Sequence, residues 1–408
     1  MPSVPSRASR LRPGVPAALI ALAFLLALVQ RPGQVVADTK VNLYVDPGAF
    51  LGQVLSAWSP TTDLGHVWAG QYAGYAWPMA PWFAAGDALG LPVWIVHRLW
   101  LGTLLALAAV GVVKLLQALV RRRPGTLHVV AGVLYVVNPY VTVYANRTSV
   151  ALLAYAALPW LLLATHRALR DPRGWRWPAV FALILTSTAG GINATVTFFV
   201  LLAPLLLAAY ELLLGSVERR AVIAAAWRMV LVNAVVSAWW LVPTVVHARY
   251  GLNFLPFTEQ PGTIWGTTSL PESLRLMGFW TSYIGVGYGG TLRPFASHGP
   301  VLLFNLGVVL AGLAVPAAAL TAYAAARRVR YAPFFLGLAL LGLVVMAAGF
   351  PEGTPLRSAL TFTYNRVEPV QVLRTTYKAG PLLALALAVL GGLGAAVAWR
   401  WLGGRPRT

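Results

Sequence analysis

The sequence predicts an all-α polytopic membrane protein that forms a single domain over residues 1–408. Two observations support this prediction. The chain is 58% hydrophobic and only 10% charged, with a mean hydropathy of +0.70, which leaves too little polar surface to coat a soluble protein of this size. Its apolar residues are also gathered into runs that are long enough, or nearly long enough, to cross a bilayer.

We interpret about ten of these runs as transmembrane helices. Gly190-Gly191, followed by Asn193, divides one long apolar stretch into two spans. The predicted spans are 14–30, 97–120, 126–144, 149–168, 178–192, 194–214, 224–246, 301–323, 334–350 and 379–399.

The positions of the basic residues predict the orientation in the membrane. A net charge of +20 could indicate a nucleic-acid partner, but twenty of the 31 Lys and Arg residues fall on one set of short connections and their flanks. The positive-inside rule makes that side cytoplasmic. We therefore expect a plasma-membrane protein with both termini in the cytoplasm, membrane lipid as a partner and no nucleic acid. Val35-Val36-Ala37 could be a signal-peptidase site, and cleavage there is left open.

This orientation puts all the long loops outside, at 31–96, 247–300 and 351–378. Function is expected there, because binding residues are often carried by loops on a rigid scaffold. Asp46-Pro47 should cap a helix over 48–58 that lies in the membrane interface. Its apolar stripe is Phe50, Leu51, Val54, Leu55 and Trp58. In the second loop, the capping-box pattern Ser269-Leu-Pro-Glu272 predicts a short helix through Leu276 and Phe279, which favours a capping role for Glu272.

No phosphate-binding loop, dinucleotide motif, nucleophile elbow or paired metal-ligand spacing is present, and there is no cysteine. We therefore expect no cofactor and no residues that ligate a metal. Whether the reaction depends on a divalent metal is left open. Asp38 follows the first span closely, and five cations lie at the outer ends of other spans: Arg98, Arg147, Arg249, Arg374 and Lys378. Such groups are often only solvated loop residues or contacts to lipid phosphate.

Together, however, a carboxylate and several cations suit glycosyl transfer from a lipid-linked phosphosugar. A base must take the proton of the acceptor hydroxyl, and cations must neutralise the departing phosphate. One carboxylate is sufficient, because phosphate leaves without protonation. Asp38 is the first candidate for the base. Asp46 is second, although helix capping explains it, and Glu259 is third. The rings of Tyr72, Tyr75 and Trp77 suit either the headgroup belt or sugar stacking.

Several segments resemble the N-terminal membrane region of the α-(1→3)-arabinofuranosyltransferase (D-type) family, in the GT-C class of membrane glycosyltransferases. The matching blocks run in order through most of residues 38–283: Asp38-Thr-Lys40, Gln71-Tyr-Ala-Gly-Tyr-Ala-Trp-Pro78, Asn138-Pro-Tyr140 with Arg147-Thr-Ser149, Gly190-Gly-Ile-Asn193, Trp239-Trp-Leu-Val-Pro243, Arg249-Tyr-Gly-Leu-Asn-Phe-Leu-Pro256 with Glu259, and Thr268-Ser-Leu-Pro-Glu272.

The resemblance implies a GT-C-like bundle with in-plane helices in the first outer loop. It also implies transfer of arabinofuranose, with inversion and on the outer face, from decaprenyl-phosphoryl-arabinose, a polyprenyl-phosphate sugar donor, to a cell-wall arabinan acceptor. On this reading Asp38 is catalytic, the donor is bound by Lys40, Arg147, Arg249 and Lys378, and the acceptor by Tyr72, Tyr75, Trp77 and Glu259.

Members of that family continue for many hundreds of residues into C-terminal outer-face domains, whereas the sequence stops at Thr408. The chain could be a fragment, a shortened homologue, or one that relies on a protein partner to supply these domains. Two other functions stay open: a GT-C enzyme that uses another polyprenyl-phosphate sugar such as mannose, and a transporter or flippase of a polar lipid. A transporter would be expected to carry mid-membrane ionisable residues and repeated halves, whereas the predicted spans are nearly free of charge and the sequence shows no repeat.

Overall fold

The computed structural model describes residues 14–36, 38, 40–60, 64–67, 70–120, 123–188, 190–214, 217–251, 257–288 and 290–403. Some residues of the preceding section lie outside these ranges: Ala37 of the possible cleavage site, Thr39, residues 252–256 and Thr408. So do seven of the twenty basic residues counted on the cytoplasmic side, namely Arg7, Arg10, Arg12, Arg121, Arg122, Arg405 and Arg407.

Each of the ten predicted apolar runs contains a helix. In chain order the bundle helices are α1 (Gly14–Leu28), α6 (Val93–Val120), α7 (Thr126–Val136), α8 (Pro139–Ala145), α9 (Ala151–Arg170), α10 (Arg176–Thr186), α11 (Ala194–Leu213), α12 (Arg219–Val236), α13 (Ala238–Tyr250), α17 (Leu306–Ala326), α18 (Ala332–Met346) and α20 (Gly380–Trp401). The connections carry α2 (Asn42–Val45), α3 (Pro47–Val54), α4 (Gly70–Tyr75), α5 (Met79–Ala88), α14 (Pro261–Thr267), α15 (Leu270–Leu274), α16 (Gly299–Phe304) and α19 (Pro355–Arg366).

Five of the described helices are long and apolar enough to span a membrane: α6, α9, α11, α17, and α20 with the turn before it. Two bent pairs, α7 with α8 and α12 with α13, raise this number to seven if each pair is one span. The remaining predicted spans, α1, α10 and α18, have 15, 11 and 15 residues, fewer than the ~20 that a straight span needs. The described part of the chain is therefore a mostly helical bundle with five to seven candidate spans, and the predicted number of about ten is not confirmed.

The helix breaks have local causes. Asn138 and Pro139 divide α7 from α8 with a bend of 43°, because the Asn138 side chain accepts from Val141 N and proline fits the first turn of a new helix. The predicted break at 190–193 is confirmed, since α10 ends at Thr186 and Asn193 caps α11. Glycine is needed there, because a Cβ on Gly191 would lie 2.9 Å from Gly74 Cα of α4.

The core lies around α6, α9 and α20, whose apolar windows are 67%, 83% and 61% buried. The α20 helix packs against α7, α17 and α18, while α6 packs against α1, α7 and α9. By contrast, α17 is only 11% buried over its apolar window. One side of α17 contacts α20, and most of its surface faces outward.

The long connections add strands that the all-α prediction lacks. Strand β1 (Trp58–Ser59) pairs antiparallel with β2 (His66–Val67), and β3 (Gly285–Tyr288) pairs with β4 (Thr291–Pro294). Only Gly289 and Gly290 separate β3 from β4, and Gly290 has a φ of 77°, which suits a tight hairpin turn. The all-α prediction is therefore corrected in these connections, while the described bundle elements are helices.

Two predicted loop helices are shorter than expected. Asp46 caps α3 through Ala49 N at 2.9 Å, as predicted, but α3 ends at Val54 because Trp58 pairs in β1. The predicted stripe is therefore divided: Phe50 and Val54 are buried, while Leu55 and Trp58 are exposed.

In the second loop, Ser269 caps α15, and the helix ends at Leu274. The predicted continuation to Phe279 is wrong, since Leu276 has a φ of 61° that no helix residue adopts. The Glu272 carboxylate pairs with Arg275 Nη1 at 2.5 Å.

Candidate active site

A cavity of about 240 Å³ lies where α8, α11 and α20 meet the long connections. We call this end of the bundle the loop face and the cavity the loop-face cavity. The lining combines charged, polar and aromatic side chains: Tyr144, Arg147, Thr148, Asn193, Glu259, Phe279, Trp280, Thr281, Phe295, Tyr377 and Lys378. Its residues come from segments far apart in sequence, so only the folded bundle creates it.

The charged lining consists of two cations, Arg147 and Lys378, and one carboxylate, Glu259. Glu259 Oε1 lies 3.7 Å from Arg374 Nη2, and Arg374 Nε donates to the Glu259 backbone oxygen at 3.0 Å. Arg374 thus holds both the backbone and the side chain of Glu259. With Arg147 and Lys378 the cavity has a net positive lining, which suits a phosphate group.

The aromatic wall consists of rings in mutual contact. The Tyr144 and Phe279 rings stack with centroids 5.3 Å apart and planes within 6°, and Phe279 lies 5.2 Å from the Tyr377 ring. On the other side, the Arg147 guanidinium carbon is 4.4 Å from the Phe295 ring centroid. These contacts fix Arg147 and give the cavity an apolar surface against which a sugar ring can pack.

Asp38 does not line this cavity. Its side chain has no exposed surface: Oδ1 accepts from Ser149 N at 2.6 Å, and Oδ2 accepts from the Ser149 hydroxyl. Trp100 Nε1 donates to the same hydroxyl at 3.0 Å, and His97 Nε2 lies 3.4 Å from Oδ2. Asp38 therefore anchors the turn between α8 and α9, which carries Arg147 and Thr148 into the cavity.

The other predicted site residues lie apart from the cavity. Lys40 Nζ is 4.7 Å from the Tyr72 ring centroid, and Tyr75 is buried against Phe50. Trp77 is half exposed, and its Nε1 donates to Ser187 Oγ at 2.9 Å.

Arg249 is exposed in the last turn of α13. Of the predicted site residues, the structure brings together Arg147, Glu259 and Lys378 in one cavity. The roles of all nine stay predictions.

Sequence reasoning did not assign roles to Arg374, Tyr377 and Tyr144. One local signal was available: Arg374 and Lys378 are four residues apart, directly before the last apolar run.

Among the described residues, no three His, Asp or Glu side chains come together as a metal site would require.

The comparisons with known proteins identify the fold. Residues 22–404 match the family described as alpha-(1->3)-arabinofuranosyltransferase, N-terminal GT-C domain. The chain belongs to this family. As a GT-C domain it is 30% identical over 384 residues to the alpha-(1->3)-arabinofuranosyltransferase of Mycobacterium tuberculosis (strain H37Rv), and 29% identical over 370 residues to that of Mycolicibacterium smegmatis.

These alignments cover 91% and 90% of the chain but 25% of each relative. The cryo-EM structure of the mycobacterial arabinofuranosyltransferase AftD superposes on this GT-C domain with a TM-score of 0.64. It has 22% sequence identity and covers 96% of this chain, which in turn covers 27% of that structure. The chain therefore has the fold of the N-terminal quarter of these proteins.

Proposed function

We propose that this chain transfers an arabinofuranosyl unit from a polyprenyl-phosphate donor, decaprenyl-phosphoryl-arabinose, to an arabinan acceptor, with inversion and on the outer side of the plasma membrane. The observation that carries the proposal is the loop-face cavity, in which two cations surround one carboxylate beside an aromatic wall. Membership of an arabinofuranosyltransferase family supports the choice of sugar.

In the proposed reaction, a new bond forms between the acceptor oxygen and the anomeric carbon of the donor. The bond from that carbon to the phosphate oxygen breaks, and the phosphate leaves with the electron pair. Arg147 and Lys378 stabilise the developing charge on the phosphate through charge-assisted hydrogen bonds. A carboxylate takes the proton of the acceptor hydroxyl. Backside attack inverts the anomeric centre, and no general acid is needed.

Two carboxylates compete for the role of base. The sequence nominates Asp38, and that assignment stays a prediction. What supports Glu259 is its position in the cavity wall with 19% of its side chain exposed, because a base must come within hydrogen-bond reach of its proton. The enclosed Asp38 would have to leave Ser149 first. We propose Glu259 as the base and Asp38 as the residue that positions Arg147.

The substitution Glu259→Gln tests this assignment, because it keeps the size of the side chain and removes the proton acceptor. We expect kcat to fall by about 10²–10⁴-fold and donor affinity to stay within a few fold. The assay uses membranes that contain the chain, synthetic lipid-phosphoarabinose and short arabinan acceptors, with a mannose-bearing donor in parallel. Transfer of mannose but not of arabinose would overturn the proposed donor, and full activity of Glu259→Gln would overturn the proposed base.

A further inference from the structure

Two segments from different connections run beside each other on the loop face. Arg374 contacts Glu259 at the loop-face cavity. Further along the same segments, the rings of Trp265 and Tyr364 meet edge to face, with centroids 6.4 Å apart. Residues 259–265 and 364–374 therefore run from the loop-face cavity to the surface beside Trp265.

A second and larger concavity of about 580 Å³ lies at that end. We call it the α19 groove. One wall is α19, the other is Trp265, and Glu352 and Gly353 lie at its edge. No residue of α19 is buried, so this helix lies on the surface of the protein and contributes nothing to the core. Packing of the core therefore does not account for its side chains.

The groove wall carries hydrogen-bonding groups that the described part of the chain does not use. Ser358, Thr361 and Asn365 lie at positions i, i+3 and i+7, hence on one face of α19, and line the groove. None of their side chains has a hydrogen-bond partner among the described residues. By contrast, the hydroxyls of Thr354 and Thr363 donate to the backbone oxygens of Pro351 and Ala359, at 2.8 and 2.7 Å.

Charged and aromatic groups complete the groove. The Glu352 side chain is 93% exposed, and Phe362 is 64% exposed. The Arg357 guanidinium stacks 4.2 Å from the Trp265 ring centroid, which holds the indole in place. Hydroxyl, amide and carboxylate groups beside an exposed ring are the combination that recognises a sugar, because sugars offer both hydroxyls and an apolar ring face.

The loop-face cavity is too small to hold a whole polymeric acceptor. At about 240 Å³ the cavity is below the ~300–1,000 Å³ of pockets for drug-sized ligands, so it has room only for the reacting groups. The remaining units of a polymeric acceptor have to lie elsewhere. We infer that the α19 groove binds units of the acceptor arabinan chain behind its reacting end. This inference rests on the proposed function, which supplies a polymeric acceptor.

The test compares a linear octaarabinofuranoside with a disaccharide acceptor in the double variant Phe362→Ala/Asn365→Ala. Both side chains are largely exposed, so the fold should tolerate their loss. We expect KM for the octasaccharide to rise about 5- to 150-fold, as for the loss of one ring contact and one hydrogen bond. KM for the disaccharide and for the donor should not change. Trp58→Ala is the matched control, because Trp58 is an exposed tryptophan of another connection, outside the groove.

Binding of the octasaccharide without donor, measured by saturation-transfer NMR, separates this inference from the proposed function. If the wild-type protein binds the octasaccharide but transfers no sugar, and the double variant does not bind, the groove is correct and the proposed function is wrong. If transfer is normal and the double variant keeps the KM of the wild type for the octasaccharide, the inference is overturned. A rise in the donor KM alone would make the groove a lipid contact and would equally overturn it.

Discussion

At Asp38, an enclosed carboxylate accepts two hydrogen bonds from Ser149, which lies 111 positions further along the chain. A hydrogen bond to a charged acceptor stabilises a fold by about 1.5–3 kcal/mol, whereas a neutral one contributes about 0.5–1.5 kcal/mol. A buried carboxylate with this many partners is sufficiently explained by the turn it holds. Its position next to the first span, which suggested catalysis, is equally consistent with a positioning role.

We predict that Asp38→Asn lowers the free energy of unfolding by about 1.5–3 kcal/mol, because the charge that receives both Ser149 bonds is lost. Ser149→Ala should cost about as much, because it removes the hydroxyl bond to the Asp38 carboxylate and leaves Trp100 Nε1 without its acceptor, although the backbone bond to Asp38 is kept. Thermal unfolding in detergent measures both. An Asp38→Asn protein of unchanged stability whose kcat falls by about 10²–10⁴-fold would instead make Asp38 the base.

Lys378 and Arg249 are both predicted donor contacts, but only Lys378 lines the loop-face cavity. We predict that Lys378→Met weakens donor binding by about 1–3 kcal/mol, or about 5- to 150-fold in Kd, because a charge-assisted hydrogen bond to phosphate is lost. Arg249→Met removes an exposed cation and serves as the matched variant. Equal losses in a binding titration with lipid-phosphoarabinose would show that both residues contact the phosphate.

At the scale of helices, α9 and α11 are joined at the end remote from the loop face by an ionic cluster around a buried carboxylate. Glu211 of α11 is fully buried, and its Oε1 lies 2.9 Å from Arg170 Nη2 of α9. Arg330 Nη2 is 3.2 Å from Oε2, and Tyr331 donates to Oε1 at 2.7 Å. Burial, and then the Glu211 carboxylate, raise the pKa of Tyr331 to about 12, so the phenol keeps the proton that it donates.

We predict that Glu211→Gln lowers the free energy of unfolding by about 1.5–3 kcal/mol, because charge-assisted hydrogen bonds to the buried carboxylate are lost, while the partly exposed Arg170 and Arg330 stay in contact with water. Glu218→Gln is the control, since Glu218 is exposed on the neighbouring connection. The 20 residues of α9 span about 30 Å, so donor KM should not change below the unfolding temperature. A shift in thermal unfolding no larger than that of Glu218→Gln would show that the cluster does not stabilise the bundle.

The helices show what could be predicted from the sequence. Segment 149–168 becomes Ala151–Arg170 and segment 97–120 becomes Val93–Val120, because a long apolar run has to satisfy its backbone within itself. The end of α15 was not predictable. A Leu at a φ of 61° is disfavoured locally, so only the surrounding structure specifies it.

For the whole molecule, the candidate site was predictable residue by residue but not as an assembly. Basic residues and carboxylates near span ends can be seen in the sequence, and three of them do line one cavity. Which carboxylate reaches that cavity depends on contacts such as Arg374 with Glu259, 115 positions apart. No local pattern encodes such a pairing, whereas the position of Asp38 shortly after the first span can be seen in the sequence.

The orientation of the whole bundle in the membrane is a further prediction, and the chain suits a direct test because it has no cysteine. Cysteine can replace Gly262 on the loop face and Gly125 at the start of α7, since a Cβ would meet no atom within 4 Å at Gly262 and only Arg123 O, at 4.0 Å, at Gly125. The positive-inside rule puts Gly262 outside and Gly125 inside.

An impermeant thiol reagent should therefore label Gly262→Cys in sealed cells, and Gly125→Cys only after permeabilisation. Permeabilised cells control for the reactivity of each thiol. The reverse labelling pattern would turn the loop face towards the cytoplasm. It would then exclude transfer on the outer face, while leaving the cavity and its chemistry intact.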